Sequence, residues 1–166
     1  VARELRRLRP DARFLRRAEA DLSDPAACGA IIGDLSPAAV INAAGYTAVD
    51  KAEDEEELAT TINGAAPAEM ARACAALGIP FGHLSTDSVF GDRTGEPRGP
   101  AHPVAPQNAY GRSKLTGERA IADEHGRHAI RRTSCVFSAS GSNVVRTMLR
   151  LSETHDEIRV VDDQVG

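Results

Sequence analysis

Hydrophobic positions along the chain change repeatedly between the spacing of an α-helix and that of a buried β-strand. Val1, Leu5 and Leu8 fall on one helical stripe, whereas the apolar run from 39 to 44 is short and nearly continuous. Segments with helical spacing are predicted as α-helices and cover residues 1–9, 24–35, 52–77, 109–124 and 143–153. Short apolar segments are predicted as β-strands and cover residues 13–15, 39–44, 79–85, 128–133 and 158–161.

Residues with special backbone preferences mark several of these boundaries. Ser23 or Asp24 can cap a helix that has Pro25 in its first turn. Gly45 stops the strand that precedes it, because glycine favours the turn that follows. Pro67 predicts an interruption of the third helix, because proline removes a backbone donor.

Strands that alternate with long helices predict a parallel sheet with helices over both of its faces, which is a doubly wound α/β fold. A length of 166 residues with 42% hydrophobic content fits one domain with one core. In such sheets ligands bind beyond the carboxyl ends of the strands. Residues that follow strands are therefore the first candidates for a site.

The two ends of the chain differ from a complete fold of this class. The chain opens on a predicted helix, whereas a dinucleotide-binding sheet normally starts with a strand and a glycine-rich turn. It stops soon after the predicted strand at 158–161, with no closing helix. We therefore expect an internal fragment of a longer protein, lacking the first strand with its glycine-rich turn.

Composition excludes several classes of function. The formal charge is −4, and 20 Lys and Arg residues are interspersed with 24 acidic ones, which argues against nucleic-acid binding. No apolar run is long enough for a membrane span, so we expect a cytoplasmic protein without a membrane partner. The cysteines are far apart and the histidines form no ligand cluster, so neither a disulfide framework nor a metal site is expected. The histidines are interpreted as surface or packing residues.

Tyr110 and Lys114 are the strongest candidates for chemistry, because the chain has only two tyrosines and two lysines. Their spacing of four places phenol and ammonium on one face of a helix. A nearby ammonium favours the phenolate and lowers the tyrosine pKa, as a proton donor to a carbonyl oxygen requires. The alternative is an amphipathic helix with no chemistry between the two side chains.

Two further segments lie at the ends of predicted strands. Small side chains at 42–47 allow a flat ligand to approach the backbone, although an ordinary tight turn explains them equally well. Thr86, with Ser85 and Asp87 beside it, can hydrogen-bond and polarise a carbonyl, although a helix cap is the competing explanation. Taken together with Tyr110 and Lys114, these residues predict a hydroxyl, a phenol and an ammonium around one carbonyl group.

These motifs resemble the extended short-chain dehydrogenase/reductase superfamily and, within it, the dTDP-4-dehydrorhamnose reductase family. Tyr-x-x-x-Lys is shared by the superfamily, whereas Ala-Val-Asp-Lys-Ala-Glu, Ser-Thr-Asp and Val-Val-Asp-Asp-Gln are more specific to the reductases. The segments that carry the resemblance are 40–53, 84–90, 106–118, 132–137 and 159–164. The resemblance implies that residues 1–166 are a partial NAD(P)-binding Rossmann-like domain without the C-terminal substrate-binding segments.

The resemblance also implies a reaction: reduction of the C4 keto group of dTDP-4-dehydro-6-deoxy-L-mannose to dTDP-L-rhamnose, with NADPH or NADH. It assigns catalysis to Thr86, Tyr110 and Lys114, with Lys114 lowering the Tyr110 pKa. It assigns substrate contacts to Thr86, Asp87 and Cys135. It assigns cofactor contacts to Asp21, Leu22, Gly45, Tyr46, Thr47, Leu84, Tyr110 and Lys114.

Ser88 and Cys135 depart from the family, which commonly has aromatic residues at these positions near the sugar. Two other interpretations stay open at this point. One is a non-catalytic NADP-binding regulatory subunit, similar to that of methionine adenosyltransferase. The other is a related sugar-nucleotide epimerase or dehydratase. A homodimer is the oligomeric state considered.

Overall fold

The computed structural model describes residues 2–91, 97–139, 141 and 143–160. Its sheet consists of β1 (Val40–Asn42), β2 (Phe81–Thr86) and β3 (His128–Thr133), which run parallel in the order β1-β2-β3. The α-helices are α1 (Ala2–Leu8), α2 (Pro25–Leu35), α3 (Glu56–Thr60), α4 (Ala66–Leu77), α5 (Ala109–Glu124) and α6 (Val144–Ser152). Short 3₁₀ turns cover Asp50–Glu53 and Asp87–Val89, and a π-helical turn covers Thr61–Ala65.

Two predicted strands are not present among the described residues. Residues 13–15 are irregular. Phe14 instead lies under the Arg6 guanidinium, with 4.6 Å between the ring centroid and Arg6 Cζ. Residues 158–160 are also irregular, while residue 161 lies outside the described part. Both segments are short apolar runs without a neighbouring strand, and a strand needs a partner for its backbone groups.

The predicted helix at 52–77 is divided into several pieces. A 3₁₀ turn precedes α3, and the π-helical turn separates α3 from α4, which has Pro67 in its first turn. Because Pro67 has no N–H, it cannot donate to the carbonyl of Asn63 four residues earlier. The interruption expected near Pro67 is confirmed, and it takes the form of a π turn just before the proline.

The other helix boundaries follow their local signals. Asp24 accepts a hydrogen bond from the Ala27 N–H at 3.1 Å, with Pro25 in the first turn of α2. Asn108 caps α5 by accepting from the Gly111 N–H at 2.7 Å. Gly78 ends α4 in the left-handed conformation, with φ of 66°, which glycine adopts without strain.

The core lies on one face of the sheet. Helices α2, α4 and α5 pack there around Phe81, and the core members are Cys28, Ile32, Met70, Ala71, Cys74, Phe81 and Ile121. The opposite face is open in the described residues: Ile41 is 56% exposed, and a hollow lined by Ile41, Gly82 and Ala129 lies beside it. The parallel sheet with flanking helices is as predicted, but helices do not cover both faces here.

The residues that the structure describes contain neither a membrane-spanning helix nor a candidate metal site. None of the helices there is both long and apolar enough to cross a membrane. The same residues contain no group of His, Cys, Asp and Glu side chains that could hold a metal ion.

Candidate active site

The candidate site lies where the carboxyl ends of β1 and β2 meet the first half of α5. A small apolar cluster of Ala52, Ala59 and Ala109 is buried there, and the rings of Tyr46 and Tyr110 pack against it. The two tyrosines of the chain therefore lie around one cluster, although 64 positions separate them (110 − 46). This cluster is separate from the core around Phe81.

Hydrogen bonds from the segment before α4 hold the start of α5. Glu53 accepts a hydrogen bond from the Ala109 N–H at 2.8 Å, which satisfies a donor at the start of the helix. Arg112 forms a bidentate salt bridge with Glu56, with nitrogen–oxygen distances of 2.7 and 2.8 Å. These contacts determine where Tyr110 and Lys114 lie relative to the sheet.

Thr86 and Tyr110 are brought together at the end of β2. Thr86 is buried, and its hydroxyl lies close enough to Tyr110 to lower the pKa of the phenol. The same hydroxyl accepts from the Ser88 N–H at 3.1 Å and lies 3.0 Å from Asp87 Oδ1. The capping contact with Ser88 and the contact with Tyr110 coexist, so the two explanations offered for Thr86 do not exclude each other.

The electrostatics of Tyr110 differ from the prediction. Burial raises its pKa above the ordinary value and the Asp87 carboxylate raises it further, whereas the hydrogen bond with Thr86 lowers it. The expectation that Lys114 lowers the Tyr110 pKa is wrong in this structure, because the Lys114 Nζ group is directed to the Leu84 carbonyl and His83. A buried phenol in this environment stays protonated near neutral pH.

Lys114 is 5% exposed and is bonded to β2. Its Nζ donates to the Leu84 carbonyl oxygen at 2.6 Å and lies 3.3 Å from His83 Nε2. Burial lowers the Lys114 pKa to about 8, and the Glu118 carboxylate on the same helix acts in the opposite direction. Leu84 therefore contacts Lys114 through its carbonyl group, and its contact with the cofactor stays a prediction.

His83 is a member of the site that the sequence analysis missed. It is 2% exposed, and burial together with Lys114 lowers its pKa to about 3, so the ring is neutral near pH 7. Its other nitrogen, Nδ1, lies 3.3 Å from the Asn42 amide nitrogen. Its place in an alternating strand next to Ser85 and Thr86 was the available signal, because alternate strand residues share one face.

The loop after β1 is held by another residue that the sequence analysis missed, Asn63 of the π turn. Asn63 is 1% exposed, accepts from the Tyr46 N–H at 2.9 Å and donates to the Tyr46 carbonyl at 3.1 Å. A Cβ on Gly45 would lie 2.7 Å from Asn63 Oδ1 and 3.8 Å from Lys114 Nζ. Thr47 is exposed, and the Tyr46 hydroxyl donates to Glu55 at 2.7 Å.

The remaining predicted residues lie away from this group. Asp21 accepts from the Ser23 N–H and hydroxyl and from Arg17, which lowers its pKa to about 2. Leu22 packs against the core around Phe81. Cys135 is exposed with φ of 44°, two residues after Thr133, whose Cα pairs with that of Thr86. Cys135 therefore follows β3 at the same end of the sheet as Thr86.

Comparisons with known proteins give a consistent result. The family model described as the RmlD substrate binding domain matches residues 1–166. A dTDP-4-dehydrorhamnose reductase from Burkholderia thailandensis is 45% identical over 152 residues, which are 92% of this chain and 51% of the relative. The Mycobacterium tuberculosis enzyme of the same name is 45% identical over 153 residues, which are 88% of this chain and 49% of the relative. The chain thus spans about half the length of the curated relatives it matches.

Solved structures of similar proteins share the fold. A dTDP-4-dehydrorhamnose reductase from Clostridium acetobutylicum matches with a TM-score of 0.91 at 35% identity, over 99% of this chain and 60% of that one. The Bacillus anthracis enzyme, solved in complex with NADP, matches with a TM-score of 0.80 at 35% identity. The match covers 87% of this chain and 51% of that one. The Rossmann-like α/β fold is confirmed, and the chain belongs to the RmlD substrate-binding family, that of the dTDP-4-dehydrorhamnose reductases.

Proposed function

We propose that the full-length protein containing this chain reduces the C4 keto group of dTDP-4-dehydro-6-deoxy-L-mannose to give dTDP-L-rhamnose. The observation that carries the proposal is the position of the buried Thr86 beside Tyr110 at the carboxyl end of β2, with Lys114 one helical turn beyond Tyr110. The names of the curated relatives support the choice of sugar nucleotide. Residues 1–166 are accordingly proposed as part of an NAD(P)-binding domain.

In this proposal Tyr110 donates its phenolic proton to the keto oxygen, and Thr86 hydrogen-bonds to the same oxygen. Burial keeps Tyr110 protonated near neutral pH, which is the form that a proton donor needs. Asp87 and Cys135 are proposed to contact the sugar, since both follow strands at this end of the sheet. A bound nicotinamide cofactor supplies the hydride.

The residues after β1 fit a cofactor that lies close to the backbone. Ala43 and Ala44 are exposed, and Gly45 leaves open a space that a Cβ would take up beside Asn63 and Lys114. We propose that NADPH or NADH binds over this loop, as the NADP complex of the Bacillus anthracis relative supports. The proposed contacts are Asp21, Leu22, Gly45, Tyr46, Thr47, Leu84, Tyr110 and Lys114.

The direct test is the activity of the protein made from the full reading frame that contains this chain. Oxidation of NADPH in the presence of dTDP-4-dehydro-6-deoxy-L-mannose is followed at the nicotinamide absorbance band. Tyr110→Phe removes the proton donor, and we expect kcat to fall by about 10²–10⁴-fold. Thr86→Val is expected to lower kcat as well, whereas Thr154→Val, which changes an exposed threonine near the end of α6, is the matched control.

Two other functions make different predictions in the same experiment. A regulatory subunit would bind NADP without oxidising NADPH when the sugar nucleotide is added. An epimerase or dehydratase would convert a sugar nucleotide without net consumption of NADPH. Substrate-dependent loss of nicotinamide absorbance favours the reductase over both, and its absence in a folded protein would contradict the proposal.

Location and assembly are further proposals. We also propose that the protein is cytoplasmic, that its partner is the nucleotide sugar, and that it does not bind nucleic acid. Cell fractionation tests the location. The homodimer stays a prediction, which sedimentation equilibrium of the full-length protein tests.

A further inference from the structure

A buried chain of polar side chains links β1, β2 and α5 behind the candidate site. Asn42 is 5% exposed, His83 2% and Lys114 5%. The Asn42 amide nitrogen lies 3.3 Å from His83 Nδ1, and His83 Nε2 lies 3.3 Å from Lys114 Nζ. Buried groups at these distances must match donors with acceptors, because an unmatched buried donor is costly.

The orientation of the Asn42 amide follows from a neighbouring backbone contact. Asn42 Oδ1 accepts from the Ala44 N–H at 3.0 Å, so the amide NH₂ group must be the end that faces His83. The NH₂ group is a donor, and His83 Nδ1 must therefore accept. A neutral imidazole that accepts at Nδ1 carries its proton at Nε2, so Nε2–H points at Lys114.

This tautomer constrains the charge of Lys114. An ammonium has three donors and no acceptor, so it would meet the Nε2–H group donor against donor. A neutral amine has a lone pair that accepts from Nε2–H, while one of its own hydrogens donates to the Leu84 carbonyl oxygen at 2.6 Å. With Lys114 as an amine, the hydrogen bonds between Asn42, His83, Lys114 and Leu84 are all satisfied.

We propose that His83 is a positioning residue that holds Lys114 as a neutral amine in the protein without cofactor. The proposal rests on the proposed function only in giving Lys114 a role beside Tyr110. It adds a named residue that controls whether the group one turn from Tyr110 carries a charge.

The surrounding charges are compatible with this state. The neighbouring titratable residues on the helix of Lys114 are Tyr110 and Glu118, and its Nζ group contacts His83 of β2. A Cβ on the uncharged Gly45 would lie 3.8 Å from Nζ. Glu118 favours the ammonium, but its carboxylate is bound to Arg132 of β3 at 2.6 Å. Burial outweighs Glu118 and lowers the Lys114 pKa to about 8, and the donation from Nε2–H acts in the same direction as burial.

Nuclear magnetic resonance of the full-length protein, with ¹³Cε-lysine and ¹⁵N-histidine labels, tests the proposal without substrate. The Lys114 signal is assigned by its loss in Lys114→Arg. We expect the signal of a neutral amine for Lys114 near pH 7, and the Nε2–H tautomer for His83. An ammonium signal there, or a proton on Nδ1, would overturn the proposal.

The His83→Gln variant tests the role of the ring, because a glutamine amide can turn its carbonyl oxygen towards an ammonium. We expect Lys114 in this variant to titrate at higher pH than in the wild type, by at least one unit. His128→Gln, on the neighbouring strand, is the matched control and should leave the titration in place. An unchanged Lys114 titration in folded His83→Gln contradicts the proposal, and the tautomer measurement decides if that variant does not fold.

Failure of the proposed function gives a different result. If the wild type does not reduce the sugar nucleotide while the Lys114 titration is as expected, the reaction is wrong and the role of His83 stands. If reduction occurs but Lys114 is an ammonium near pH 7, the reaction stands and the role of His83 is wrong.

Discussion

Burial raises the Tyr110 pKa above its ordinary value, and the lysine that shares its motif has other partners. The Lys114 Nζ group is directed to the Leu84 carbonyl and to His83. The phenol instead lies beside Thr86, on the strand next to the helix. At the scale of single residues, the two side chains of the motif therefore have different partners.

A side chain at Gly45 would clash with its neighbours. We expect Gly45→Ala to push Asn63 away from the Tyr46 backbone, because the new Cβ would lie 2.7 Å from Asn63 Oδ1. Loss of these two hydrogen bonds should weaken NADPH binding by about 30-fold, at about 1 kcal/mol for each bond. A fluorescence titration of the full-length protein measures this, with Gly126→Ala as a control, since nothing lies within 4 Å of that Cβ position. Equal affinities for both variants would contradict the prediction.

His83 also predicts how stability depends on pH. Its pKa is about 3 in the folded protein against an ordinary 6.5, so the unfolded chain binds more protons between these values. The contribution of His83 to the free energy of unfolding is complete above pH 6.5 and is lost as the pH falls towards 3. We expect the urea midpoint of the wild type to fall more between pH 7 and pH 5 than that of His83→Gln. Parallel midpoints for the two proteins would show that His83 does not bury a neutral ring.

Helix α5 is the element on which the site depends, and paired charges attach it to its neighbours. Arg112 binds Glu56 before the π turn, and Glu118 binds Arg132 of β3 at 2.6 Å, with the Glu118 side chain 6% exposed. The Arg132 side chain is 23% exposed, and its partner Glu118 is 14 positions away along the chain. Local sequence therefore does not reveal this pair.

The close packing of α5 on the π turn is open to a direct test. A Cβ on Gly117 would lie 2.0 Å from the Asn63 carbonyl oxygen, so Gly117→Ala must displace the helix or the turn. We expect a loss of about 1–3 kcal/mol in the free energy of unfolding, the usual cost of overpacking. Urea unfolding of the full-length protein measures it, again against Gly126→Ala. A variant as stable as this control would mean that α5 and the π turn separate easily.

The whole molecule leaves one face of its sheet without helices among the described residues. Ile41 is 56% exposed on that face, and an exposed apolar sheet face marks a surface that other protein covers. The chain also spans about half of its curated relatives. We therefore propose that this chain is part of a longer protein, in which other residues cover the open face of the sheet.

We expect the 166 residues expressed alone to bind NADPH poorly or to misfold. The physical reason is the open sheet face in the described residues, where apolar side chains such as Ile41 stay in contact with water. A titration of the isolated chain with NADPH, compared with the full-length protein, measures the difference. Tight binding by the folded isolated chain would contradict the prediction.

Much of the architecture could be predicted from local patterns. The bounds of β3 and the end of α5 agree with the predictions, and the caps at Asp24 and Asn143 are where polar residues precede apolar stripes. The strand at 13–15 was wrong, because a short apolar run does not show whether another strand lies beside it. The π turn was predicted only as an interruption, since its form depends on packing against Gly117.

Sequence was sufficient for the family, the parallel α/β plan and the Tyr110–Lys114 spacing, because motifs, caps and periodicity act between residues that are close along the chain. The direction of the lysine and the importance of His83 required the folded structure. They arise from contacts across 31 positions between Lys114 and His83 and 41 positions between His83 and Asn42. Burial then sets the charges, because a buried group loses the water that would stabilise its ionised form.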